Sequence, residues 1–77
     1  MPQIISVNSE MISTLEYHEK SNKLIVEFTS GDKYSYGKVI PDLFLQLIDG
    51  DNQSIGRFFV NYIRNNPKKY PFKKLSQ

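Results

Sequence analysis

Lys23-Leu24-Ile25-Val26-Glu27-Phe28-Thr29-Ser30-Gly31-Asp32-Lys33-Tyr34-Ser35-Tyr36 is the stretch that decides the fold. Leu24, Val26 and Phe28 recur at every second position, the period of a half-buried strand. Lys33 to Tyr36 resumes the extended pattern after a short polar break, so the two runs form a hairpin. The turn sets the face of the tyrosines. A three-residue loop over 29–31, a type I turn with Gly31 in the left-handed region, pairs Phe28 with Asp32. Tyr34 then stands opposite Val26 and Tyr36 opposite Leu24, all on the apolar face. A two-residue loop would move both rings to the polar face, because a slip of one residue inverts the pleat. The longer loop joins aromatic to apolar side chains and is the expected one.

Outward from this hairpin, Ser13-Thr14-Leu15-Glu16-Tyr17-His18 alternates in the same way. The polar turn Glu19-Lys20-Ser21-Asn22 pairs His18 with Lys23, hence Tyr17 with Leu24 and Leu15 with Val26. These runs make a three-stranded antiparallel meander. Gln3-Ile4-Ile5-Ser6-Val7 is a candidate extra edge strand, and Ile12 and Ile25 are assigned to the open sheet face.

Two helices follow. Pro41 suits a first helical position, Leu43, Phe44, Leu47 and Ile48 form an apolar stripe, and Gly50 is the expected stop. Ser54 is the expected N-cap of the second helix. Ile55, Phe58, Phe59, Tyr62 and Ile63 then recur at helical spacing and are assigned to the core. Asn66 before Pro67 resists helix geometry and ends the run. The expected architecture is α+β, with the meander carrying two helices on one face. Residues 1–77 form a single domain with a basic C-terminal tail over 68–77.

Charge is divided along the chain. Residues 1–51 hold all eight acids against four lysines, a formal −4, whereas residues 52–77 hold six cations and no acid, +6. Arg57, Asn61 and Arg64 fall on the face opposite the apolar stripe of the second helix, and Lys68, Lys69, Lys73 and Lys74 extend the basic region. Aromatic residues are threaded through it. Local positive charge attracts polyanions and aromatic faces stack on bases, so nucleic acid is the expected partner. Tyr34 and Tyr36 are candidate stacking residues. Against this, the turn geometry favours packing them under the helices with their hydroxyls at the rim.

Other chemistries find little support. There is no cysteine and one histidine, His18, with no nucleophile or second metal ligand close in sequence. Asp49-Gly50-Asp51-Asn52-Gln53 resembles a calcium loop faintly, but the sixth position is Ser54 and the twelfth Val60 where glycine and glutamate are needed. No catalytic, metal, cofactor or small-molecule site is expected. No signal peptide or membrane span is evident, and a cytoplasmic location is the expectation.

The ordered set of features resembles the KTSC domain family, named for a C-terminal extension of some lysyl-tRNA synthetases and occurring alone in small bacterial and phage proteins. The residues that carry the resemblance span 9–72. They are Ser9-Glu10-Met11-Ile12, Leu15, Tyr17, Leu24-Ile25-Val26-Glu27-Phe28, Gly31, Tyr34-Ser35-Tyr36, Val39 and Pro41. Ser54-Ile55-Gly56, Phe58-Phe59, Ile63-Arg64 and Tyr70-Pro71-Phe72 complete the set. Ile40 between Val39 and Pro41, and Val60 at a usual asparagine position, depart from the pattern. The resemblance implies a stand-alone module for which RNA binding has been suggested. The expected function is a non-catalytic nucleic-acid-binding module for RNA, either tRNA or single-stranded, through Arg57, Asn61, Arg64, the tail lysines, Tyr34 and Tyr36. The alternative is a protein-interaction module docking on a larger enzyme through Ile12 and Ile25.

Overall fold

The computed structural model describes residues 3–7, 10–49 and 52–75, without the side chains of residues 52–54. Ser9 and the expected helix stop Gly50 lie outside the described residues.

The strands are β1 (Gln3–Ser6), β2 (Ile12–His18), β3 (Lys23–Phe28), β4 (Lys33–Tyr36) and β5 (Phe72–Lys74). They form one antiparallel sheet in the order β1-β2-β3-β4-β5. The hairpin has the expected register. Gly31 has φ +98°, Phe28 N–H donates to the Asp32 carbonyl at 2.9 Å, and Gly31 N–H donates to the Phe28 carbonyl at 2.9 Å. Val26 therefore faces Tyr34 and Leu24 faces Tyr36. His18 faces Lys23, with a 3-10 turn over Glu19–Ser21 and Asn22 in the left-handed region. The edge strand β1 is present.

Two strand expectations are corrected. The sheet has five strands, because residues 72–74 of the supposed tail pair with β4. Phe72-Lys73-Lys74 is too short to show alternation, and its register comes from its partner: Phe72 opposite Tyr36, Lys73 opposite Ser35, Lys74 opposite Tyr34. Ile12 is fully buried and not on the open face. A bulge between Ile12 and Thr14 inserts one residue into β2. The extra residue shifts the pleat by one, so that Ile12 turns inward with Phe28.

The first helix, α1 (Pro41–Ile48), begins with proline in its first turn and buries Phe44 and Leu47. Tyr17 anchors it to the sheet: its ring stacks on Phe44 at 4.3 Å and its hydroxyl donates to the Val39 carbonyl at 2.7 Å. The link from β4 to α1 is braced on both sides, since Gly37 N–H donates to the Pro71 carbonyl and Val39 N–H to the Asn22 carbonyl, each at 2.8 Å.

The second helix, α2 (Asn52–Phe58), runs on into a π-helical segment, Phe59–Arg64. It starts at Asn52, so Ser54 lies inside it rather than at its N-cap. Ile55, Phe59 and Ile63 are buried, Phe58 is half-buried, and Tyr62 is exposed, which corrects its assignment to the core. The cause is the wider turn. Asn65 N–H reaches back five residues to the Val60 carbonyl at 3.1 Å. Each residue of a π turn rotates less than the ~100° of an α-helix, so Phe59 and Ile63 align and Tyr62 swings off the face.

Both helices cover the sheet face that carries Leu15, Tyr17, Leu24, Val26 and Tyr36, and these side chains form one core with Phe44, Leu47, Ile55, Phe59 and Ile63. Among the described residues no helix is long and apolar enough to cross a membrane.

Candidate functional site

Alternation along β4 puts Asp32, Tyr34 and Tyr36 in one row on the helix-bearing face. Phe28 flanks the row from β3, and Phe72 and Lys74 flank it from β5. The helical layer does not cover this row evenly. Phe59 closes over Tyr36 edge-on at 5.1 Å and leaves it buried, whereas Tyr34 is only half-buried. The uncovered end is a groove of about 540 Å³. Phe28, Tyr34, Tyr36 and Phe72 supply its aromatic wall, Met11, Thr29, Ser30 and Asp32 its turn end, and Arg64 its helical rim.

The aromatic wall is continuous. Tyr34 meets Phe28 edge-on at 5.8 Å, and the Phe72 ring lies 6.1 Å from both Tyr34 and Tyr36. Phe72 is 55% exposed, a large open ring for a surface residue that already has aromatic neighbours. Burial pushes the Tyr36 phenol above its ordinary pKa, and Tyr34 adds to that. The Arg64 guanidinium acts in the opposite sense, so its positive field reaches into the groove. Lys74 Nζ sits 4.0 Å from Asp32 Oδ1, and Ser30 Oγ donates to Asp32 Oδ2 at 3.4 Å.

Of the residues expected to bind nucleic acid, Tyr34, Tyr36, Arg64 and Lys74 come together here. Arg57, Asn61, Lys68 and Lys69 are exposed but do not line the groove. The Lys69 ammonium lies 5.6 Å over its neighbour Tyr70. Lys73 pairs with Ser35 and so occupies the opposite sheet face. The sequence reading passed over Phe28, Asp32, Thr29 and Ser30 as site residues. The signal was the turn itself, whose three-residue loop carries Asp32 to the same face as Tyr34. On the open face His18 Nε2 and Glu16 Oε2 lie 2.6 Å apart, both about one-third exposed, and neither lines the groove.

A five-stranded antiparallel sheet with two helices over one face, leaving an aromatic groove at one end, defines a small two-layer α+β domain. Residues 8–70 match the KTSC domain, and the chain belongs to that family. A solved structure, the KTSC domain protein YPO2434 from Yersinia pestis, superposes with a TM-score of 0.84 at 22% identity. The match covers 99% of this chain and 100% of that one, a likeness of fold. No curated protein matches the chain.

Proposed function

We propose that this domain is a non-catalytic module that binds single-stranded RNA in the groove between β4, β5 and the π-helical segment. The observation that carries the reading is the juxtaposition of Tyr34 and the half-exposed Phe72 with Arg64 at the rim. Unstacked bases lie on aromatic rings, and a guanidinium takes the phosphate beside them or stacks on the base. A duplex hides its base faces, so an aromatic wall of this kind favours a single strand. Arg57, Lys68 and Lys69 add to the local field without touching the groove and speed encounter more than they hold the complex.

The alternative reading as a protein-docking module is weakened, because Ile12, half of the apolar patch it relied on, is buried. The test is anisotropy of labelled single-stranded RNA, with tRNA and duplex DNA in parallel, over a range of salt. Contact with about one or two phosphates, through Arg64 at the rim and Lys74 beside it, gives a slope of log K against log salt near −1, and Arg64→Gln flattens it by about 0.7. If no polyanion binds at low salt the RNA reading fails, and the protein-docking reading takes its place.

A further inference from the structure

Asp32 is the one acid among the described residues lining the groove. A carboxylate does not suit a surface that only attracts phosphate, and its position suggests what it is for. It precedes Tyr34 by two residues and lines the same groove, and two residues of extended backbone span roughly 7 Å. That separation is about half the width of a base plus one hydrogen bond of about 2.9 Å. A base stacked on Tyr34 would therefore present an edge to Asp32, while Arg64 on the helical rim takes the backbone. The groove is polarised, with a phosphate end and a base-edge end.

We propose that Asp32 makes the groove selective for guanine within a single-stranded RNA; this deepens, and rests on, the RNA-binding reading above. An ionised carboxylate only accepts hydrogen bonds, and it accepts best through both oxygens at once. Guanine alone among the four bases presents two adjacent N–H donors, N1–H and N2–H, on its Watson–Crick edge. Adenine and cytosine set a ring-nitrogen acceptor beside the amino donor, which a carboxylate repels. Uracil offers one N–H between two carbonyls. Lys74 engages one carboxylate oxygen and Ser30 the other, both at long range, and together they use only part of its acceptor capacity.

The experiment measures anisotropy of short labelled uridine strands carrying one central guanine, inosine, adenine or uridine. Inosine lacks only the N2 amino group. Wild type should bind the guanine strand about tenfold more tightly than the other three. Asp32→Asn should weaken the guanine strand toward the others and leave the all-uridine strand as tight or tighter, because it removes a negative charge from an anion's path. A carboxylate with only an electrostatic role would make every strand tighter in Asp32→Asn, which overturns the proposal. Equal wild-type affinity for guanine and inosine strands overturns it as well, while the RNA reading stands. Binding of free GMP, lost in Asp32→Asn, with no preference among strands would assign the site to the nucleotide and refute the strand. Absence of binding by every strand at low salt refutes both readings together. The carboxylate is half-exposed and its turn is held by backbone hydrogen bonds, so thermal melting of Asp32→Asn should match wild type.

Discussion

Phe72 offers the sharpest separation between a ring that holds the fold and a ring that holds a ligand. It touches Tyr34 and Tyr36 across β4 and β5 yet remains 55% exposed. Full burial of a phenylalanine side chain contributes about 1.5–3 kcal/mol, so Phe72→Ala should cost folding only about 1 kcal/mol. A domain of this length has roughly 4–11 kcal/mol to lose and stays folded. Losing one base-stacking ring costs about 1–3 kcal/mol of binding, a fall of about five- to 150-fold in affinity. The slope of log K against log salt should not change, because no phosphate contact is removed. Phe72→Leu completes the experiment. Leucine keeps apolar area against the tyrosines but has no π face, so it should melt close to wild type and still bind poorly. Anisotropy with single-stranded RNA and thermal melting by circular dichroism read the two effects separately. If Phe72→Leu binds as wild type does, apolar contact and not stacking is at work. If Phe72→Ala also binds as wild type does, the ring is outside the site and the groove is the wrong surface.

Three further outcomes test the frame that holds the groove. Phe59→Ala should cost about 3–5 kcal/mol in denaturant unfolding, since the ring is fully buried against Phe28 and Tyr36; a cost under 1 kcal/mol would contradict its place in the core. Gly31→Ala should cost about 1–2 kcal/mol through backbone strain alone, because φ is +98° and nothing lies within 4 Å of the added methyl; an unchanged melting temperature would argue for a different turn. Burial raises the phenol pKa values of Tyr17 and Tyr36 above 10.0, with Glu19 adding to the shift at Tyr17. Stability from these groups is therefore complete below about pH 10, where unfolded tyrosine titrates, and is lost as pH rises through the raised values. Phenolate absorbance should show a late-titrating fraction that Tyr17→Phe reduces, and Arg64→Gln should delay Tyr36 further because the guanidinium opposes the effect of burial.

The central hairpin was legible because each of its instructions is local. Period-two apolar residues fix the strands, and one glycine able to adopt positive φ fixes which face the tyrosines use. The errors share a different physical origin. Ile12, Tyr62 and Phe72 were each misplaced or missed because one residue of backbone register lies outside what a side-chain pattern records. A bulge turned Ile12 inward, and a π turn swung Tyr62 outward against a heptad-like stripe that reads as α-helix. Phe72 joined the sheet because a partner strand was waiting for it, not because three residues have a period of their own. The same limit explains the candidate site. Tyr34, Tyr36 and Arg64 were singled out by type, but the groove exists because the wide turn ends at Arg64 and β5 brings Phe72 back beside the tyrosines.

The charge asymmetry of the chain needs the same distinction between sequence and register. Six cations in residues 52–77 suggest one basic surface, yet alternation along β5 sends Lys73 and Lys74 to opposite faces. Lys74 then meets Asp32, which offsets part of its charge. Arg57, Lys68 and Lys69 stand outside the groove, where salt at physiological strength screens them over about 8 Å. Their combined field can raise the local concentration of a polyanion, but it carries no information about which nucleotide arrives. Arg64 differs because it shares the groove with Tyr36, whose phenol feels its charge. On the proposed reading, a cation at the rim of an aromatic groove would fix where a backbone lies relative to a stacked base, and that geometry would let the Asp32 carboxylate meet the base's edge. If the proposal holds, attraction would belong to the whole C-terminal third, whereas discrimination would require the three chemically different groups that the β3–β4 turn, the π segment and β5 bring to one end of the sheet.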